Sequence, residues 1–266
     1  MKHPFILLAI LLCSLTVSAQ EPTKSKNVSS FTLYSPQLKA DRKIWVYLPY
    51  NYSASKKKYP VIYMHDGQNL FDRKTSAFGE WQVDETLDSL KAEVIVIGIE
   101  HGGDNRIKEL TPYPHPKYGG GGADAYLDFV VNTLKPYTER NYCIKTGAKN
   151  TTIWGSSLGG LVSYYALLKY PDVFGKAGVF SPAFWINRED IVSLTEKSGK
   201  VKGRIYFMAG DTEDDDMVPD LEKINKLLLQ SGSDNNQYIN KIIRGGKHNE
   251  ALWAKEFATA YLWLMD

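Results

Sequence analysis

Cysteine is scarce here, and neither sign of charge is in excess. Only Cys13 and Cys143 occur in 266 residues, and Cys13 lies in an N-terminal segment that reads as removable. One remaining thiol makes no internal disulfide, so the fold must rest on a packed core rather than on covalent staples. Cys143 reads as a small buried hydrophobe, since no paired histidine motif marks it as a nucleophile. Lys and Arg number 32 against 30 Asp and Glu, a net charge of +2. That balance gives no electrostatic case for nucleic acid or an anionic membrane as partner. Metal and phosphate motifs are absent too. Asp214-Asp215-Asp216 lacks the spacing and glycine of a calcium loop and precedes a helical segment, where acidic groups suit the positive end of the dipole. Gly119 to Gly122 lacks the preceding strand and the Lys-Ser or Lys-Thr of a phosphate loop. No metal or cofactor is implied.

The apolar run Phe5 to Leu12 is shorter than the ~20 residues of a spanning helix. It follows Met1-Lys2-His3-Pro4 and precedes Val17-Ser18-Ala19-Gln20, a small-residue cleavage pattern. Residues 1–19 therefore read as a secretory signal and the chain as secreted or periplasmic, with no stable membrane insertion after cleavage. Residues 20–30 are polar and read as a loose leader. Residues 31–266 suit a single α/β domain with one large core. Phe31 to Tyr34 and Lys43 to Leu48 predict an N-terminal antiparallel hairpin, with Ile44, Val46 and Leu48 on one face and Trp45 and Tyr47 on the other. Pro60 to Met64 and Val94 to Ile99 are near-continuous apolar runs, as in strands covered on both faces. Further strands at Gly175 to Phe180, Arg204 to Met208 and Tyr238 to Ile243 alternate with helices near Val83 to Leu90, Ala125 to Tyr137, Pro219 to Leu229 and Glu250 to Leu264. The alternation predicts a mainly parallel central sheet with helices on both faces.

Gly155-Ser156-Ser157-Leu158-Gly159 follows the short β-branched and aromatic strand Thr151 to Trp154. Leu161, Tyr164, Tyr165 and Leu168 then recur at helical spacing until Pro171. G-x-S-x-G between strand and helix is the nucleophile elbow of the α/β-hydrolase fold, with Ser157 as nucleophile. A serine hydroxyl needs a positioned base, and the base needs an acid to hold its tautomer. In that fold both partners follow the serine in chain order. His248 lies just past the strand ending at Ile243, whereas His3, His65, His101 and His115 all precede Ser157. For the acid, Asp211, Glu213, Asp214, Asp215 and Asp216 all follow the strand that starts at Arg204, and position alone leaves the choice open. The oxyanion hole calls for the N–H of Leu158 and one from the loop His65 to Phe71, read as Gln68. In that loop Gly67 permits the turn, and Asp66 reads as fixing it through hydrogen bonds.

These segments together resemble the esterase D-like branch of the α/β-hydrolases, which includes carbohydrate esterase family 1, enterochelin esterases and antigen 85 mycolyltransferases. Tyr63 to Phe71 is similar to its oxyanion loop, and Gly79-Glu80-Trp81 to the aromatic step after it. Gly98-Ile99-Glu100 with Arg106, Glu109, Leu110, Thr111 and Pro112 is similar to its G-I-x…R-x-x-E-x-T-P segment. Ser181 to Trp185 resembles the S-x-x-F-W wall of the acyl site, and Gly246 to Glu250 with Trp253 the histidine motif. The resemblance favours Glu213 as the acid, because Gly210-Asp211-Thr212-Glu213 matches a G-x-x-E pattern. Some relatives manage without an effective acid, so a Ser157–His248 dyad is the alternative. The resemblance implies a secreted serine esterase acting on acetyl or feruloyl esters of plant polysaccharide. Siderophore esters are the alternative substrate, and acyl transfer or a non-catalytic binding module are further alternatives. Trp81, Phe184 and Trp185 are expected to line the cleft, and Tyr113, Tyr118 and the glycines between them to form a lid.

Overall fold

The structure, a computed structural model, describes residues 21–52 and 57–266; the signal segment 1–19 lies outside them. Among the described residues ten strands form: β1 (Val28–Ser35), β2 (Ala40–Tyr47), β3 (Val61–His65), β4 (Ile95–Ile99), β5 (Pro114–His115), β6 (Gly119–Gly120), β7 (Thr151–Ser156), β8 (Lys176–Phe180), β9 (Arg204–Gly210) and β10 (Tyr238–Ile243). Eight of them make one sheet in the order β1-β2-β4-β3-β7-β8-β9-β10, and β5 and β6 make a separate ribbon. Within the sheet β2 runs against both its neighbours, and every pairing from β4 to β10 is parallel. The helices are α1 (Val83–Ser89), α2 (Arg106–Leu110), α3 (Ala123–Phe129), α4 (Lys135–Asn141), α5 (Leu158–Lys169), α6 (Arg188–Ser198), α7 (Met217–Gln230) and α8 (Glu250–Met265).

Side chains alternate across the pleat, so each buried strand feeds two cores. Ile44, Val46, Val61, Tyr63, Ile95 and Ile97 join residues of α3, α5, α6 and α7 on one face. Trp45, Tyr47, Ile62, Met64 and Val96 join α1 and α8 on the other. The hairpin of β1 and β2 forms with the facing expected from its alternation, but it begins earlier than its apolar residues suggest. Val28, Ser29 and Ser30 pair with Tyr47, Val46 and Trp45. The leader is not loose even before them, because Thr23 N–H donates to Asp72 at 3.2 Å and Ser25 N–H to Asp84 at 2.6 Å. The helix expected near Ala125 to Tyr137 is α3 and α4 joined by a wider π turn at Val130–Leu134. The wide turn lies just ahead of Pro136, which has no N–H to continue the ordinary ladder.

Candidate active site

The turn out of β7 is held by hydrogen bonds and by close packing of backbone. Ser157 adopts φ 57° and ψ −123°, a conformation that strains a residue with a side chain. Its N–H donates to the Phe180 carbonyl at 3.0 Å, and its own carbonyl accepts from Ala183 and Leu161, each at 3.0 Å. A Cβ on Gly155 would sit 2.7 Å from the backbone carbon of Gly159, and one on Gly160 2.7 Å from the Phe180 oxygen. A side chain at either place would push α5 off the strand. Ser157 therefore stands between β7 and the first turn of α5 at the C-terminal edge of the sheet.

Two further loops meet this edge, and they too depend on the absence of side chains. A Cβ on Gly210 would lie 2.2 Å from the Gly246 carbonyl carbon, so the loops after β9 and β10 touch backbone to backbone. Thr212 fastens the contact, donating from N–H at 3.1 Å and from its hydroxyl at 2.6 Å to the Gly246 carbonyl. The contact brings His248 to Glu213, with 2.6 Å between Nδ1 and Oε2. An ionised carboxylate only accepts, so Nδ1 carries the hydrogen and the neutral ring presents Nε2 as an acceptor. The Glu213 side chain is fully buried, whereas that of His248 is 36% exposed. Glu213 Oε1 accepts from Gly210 N–H at 2.6 Å and from the Ser181 hydroxyl at 2.7 Å.

Three of the four neighbouring acids have other partners. Asp211 accepts from Gly245 N–H at 2.7 Å, Asp214 from the N–H groups of Asp216 and Met217 at the start of α7, and Asp216 pairs with Arg188 at 2.8 Å. No hydrogen bond joins the Ser157 hydroxyl to His248 among the described residues, but both side chains line the same two cavities.

The larger cavity, about 600 Å³, is walled by His65, Gln68, Phe78, Trp81, His101 and Glu250. The second, about 430 Å³, is walled by Ile107, Tyr118, Trp185, Ile186 and Met217. Ser157, His248 and Arg106 belong to both. Arg106 grips Asp66 with Nε and Nη2 at 2.7 and 2.8 Å. Burial pushes the Asp66 carboxyl up, but the guanidinium outweighs it and holds the group below its ordinary range. Burial drives His65 down to about 4, so the ring is neutral at pH 7; Nδ1 meets the Tyr126 hydroxyl at 2.7 Å. Gln68 lies in the short turn Gly67–Asn69, and a Cβ on Gly67 would come within 2.7 Å of the Gly98 backbone. Close approach, not an unusual φ, demands glycine there. Leu158 opens α5. First-turn N–H groups have no intrahelical acceptor, and among the described residues no protein group takes those of Leu158 or Gln68.

The aromatic residues expected in the cleft divide. Trp81 is 3% exposed and stacks on Phe180 at 5.6 Å, forming the floor of the larger cavity. Phe184 is a correction: it is 2% exposed, packs on Tyr164 at 5.4 Å and lines neither cavity. Trp185 is 41% exposed and meets Tyr118 edge-on at 5.5 Å. The β5–β6 ribbon carries Tyr118 to it, in the segment read as a lid. Phe78 and His101 were not singled out in the sequence, whereas Tyr118 was, as part of a lid. Glu80, Asp84 and Glu85 bring carboxylate oxygens within 4.8 Å of one another, the one such cluster among the described residues. None of the three lines either cavity.

The strand order, the reversed β2 and the elbow after β7 define the α/β-hydrolase class. The chain belongs to the esterase family within it: the family model described as "Putative esterase" matches residues 35–264, and the chain is accordingly a carboxylic ester hydrolase. It is 29% identical over 243 residues to protein YbbA of Bacillus subtilis strain 168, spanning 84% of this chain and 92% of that one. It is 31% identical over 177 residues to the ferri-bacillibactin esterase BesA of the same organism, covering 58% of this chain and 60% of that one. Among solved structures a ferulic acid esterase superposes with a TM-score of 0.68 at 18% identity, covering 90% of this chain and 97% of that one, a likeness of fold. Among the described residues no helix is long and apolar enough to cross a membrane.

Proposed function

We propose that the chain is an exported serine esterase that works through an acyl-enzyme on Ser157. The observation that carries this reading is the 2.6 Å bond from His248 Nδ1 to the buried Glu213, made in a cleft shared with a serine on a strained elbow. Ser157 Oγ attacks the ester carbonyl carbon while His248 Nε2 takes its proton, and the C=O electron pair moves onto oxygen. The N–H groups of Leu158 and Gln68 meet that oxyanion, and Glu213 stabilises the imidazolium. Collapse expels the alcohol, which takes the proton back from His248. Water, deprotonated by the same nitrogen, then releases the acid by the reverse path. Apo geometry need not show the serine–histidine bond closed, because such bonds tighten around substrate.

The substrate reading is a feruloyl or acetyl ester of plant polysaccharide, with the acyl group in the cavity walled by Trp185 and Tyr118. Its two rings, set edge to face at 83°, offer an aromatic face to a flat phenolic acyl group. Likeness to the ferri-bacillibactin esterase favours a second reading, a siderophore ester, and the 600 Å³ cavity beside Arg106 is roomy enough for its bulky polar remainder. The test uses the exported protein, whose first residue is expected to be Gln20. A fluorophosphonate should label Ser157, and Ser157→Ala should lower turnover on p-nitrophenyl acetate by roughly 10⁶-fold. A loss of tenfold or less rejects the nucleophile. Specificity constants on acetylated xylan, methyl ferulate and ferric enterobactin then separate the two substrates.

A further inference from the structure

Ser181 touches Glu213, and Trp253, which also lines the larger cavity, stands against His248; no step of the chemistry above uses either. The indole N–H of Trp253 donates to Ser181 Oγ at 2.8 Å, and that hydroxyl lies 2.7 Å from Glu213 Oε1. An indole can only donate, so the hydroxyl accepts from it and sends its single hydrogen to the carboxylate. The chain of donors has one direction, from α8 through Ser181 into Glu213. Gly210 N–H fills the rest of Oε1, which leaves Oε2 to His248. The ring of Trp253 also stands edge-on to the His248 imidazole, with centroids 5.1 Å apart and planes at 87°. Ser181 is wholly buried and sits at φ 41°, with its N–H pinned to the Met208 carbonyl at 2.6 Å. A non-glycine residue held in that conformation is maintained by its surroundings against a local cost.

We infer that Ser181 and Trp253 form a positioning relay that fixes the Glu213 carboxylate and, through it, the ring orientation of His248. It deepens the reading in which Ser157 and His248 carry the chemistry. Hydrogen bonds in series polarise one another, so the indole strengthens the donor that reaches the carboxylate. Ser181→Ala removes the donor without changing the backbone demand, and Trp253→Phe keeps a ring against His248 while removing the N–H.

The experiment measures kcat and KM on p-nitrophenyl acetate for Ser181→Ala, Trp253→Phe and their combination, in the full chain and on a Glu213→Ala background. Ser157→Ala serves as reference, and circular dichroism confirms folding. Ser181→Ala should lower kcat roughly tenfold, the scale of a lost hydrogen bond to a charged group, with KM within about twofold. Trp253→Phe should lose less, and the double variant no more than Ser181→Ala alone, because the indole acts through the hydroxyl. On the Glu213→Ala background neither change should cost anything further. A Ser181→Ala enzyme within about twofold of wild type, or an equal loss with and without Glu213, overturns the relay while leaving the nucleophile standing. An active Ser157→Ala overturns both. Should Ser181→Ala fail to fold, Trp253→Phe alone decides, by whether its loss of kcat disappears without Glu213.

Discussion

Phe184 and Trp185 are adjacent aromatic residues with opposite fates. They lie in the turn Phe184–Asn187 that leads into α6, and consecutive side chains on such a turn point in different directions. One packs on Tyr164 and the other stands at the cavity rim, a distinction that residue type cannot make. His65 poses the same problem among histidines. By type it is a polar residue ahead of a loop, yet it is buried on Tyr126 with Nε2 lacking a protein partner. Burial lowers its pKa from 6.5 to about 4. The unfolded chain therefore takes up a proton that the folded chain refuses, and stability present above pH 6.5 is lost as pH falls towards 4. At pH 4 the loss from this one ring is about 3 kcal/mol. Replacing His65 by Gln keeps a side chain able to bond Tyr126 and cannot titrate. Urea unfolding at pH 7 and pH 4 should show a smaller acid loss in the variant; equal losses would mean that His65 charges in the folded state.

Elements differ in how plainly their residues announce them. β3 and β4 are buried on both faces and read as near-continuous apolar runs, whereas β7, equally buried, is legible from its β-branched and aromatic residues. β1 opens on Val28 and runs through Ser29 and Ser30, whose exposed side chains say nothing of the ladder they join. α6 (REDIVSLTEKS) buries only Ile191 and Thr195 fully, so its stripe is too thin to mark a helix. Ser157 and His248 were legible because a turn and a chain order specify them. Glu213 needed the family pattern, since four other acids share its loop. The ribbon's Tyr118 was read only as part of a lid, and the wall from α2 was not legible, because it depends on which loops reach the edge.

The G-x-S-x-G pattern treats its two glycines alike, but the structure does not. A Cβ at Gly155 strikes backbone at 2.7 Å, whereas one at Gly159 comes no nearer than 3.2 Å to the His65 Cβ and 3.5 Å to Asp66 Oδ2. The first contact cannot exist without a shift of backbone, whereas the second asks for a few tenths of an ångström. Gly155→Ala should therefore abolish esterase activity or lower the melting temperature by several degrees, a cost of about 1–3 kcal/mol from overpacking. Gly159→Ala should cost clearly less of both. Equal damage from the two substitutions would show that the Gly155 contact is no tighter a constraint than the Gly159 one.

On the scale of the whole molecule, α1 with α8 closes one face of the sheet, and the N-terminal segment is laced onto that side. Thr23 bonds Asp72 and Glu80, Asn27 bonds Asp88, and Ser25 N–H reaches Asp84. Asp84 is wholly buried, and its second oxygen has no donor. Burial first, then the neighbouring Glu85 carboxylate, push it up from 3.8 to about 8. A carboxyl whose pKa rises on folding holds its proton more tightly in the folded chain. Its contribution to stability is thus complete below pH 3.8 and is lost as pH rises through about 8. Asparagine has the same shape, can still accept from Ser25, and offers Glu85 a donor in place of a competing charge. Asp84→Asn should melt close to wild type at pH 4 and several degrees above it at pH 8, each kcal/mol being worth about 2–4 °C in a domain of this size. A difference in melting temperature that is the same at both pH values would mean that Asp84 stays ionised in the fold, and that the lacing of residues 23–27 is held by that charge.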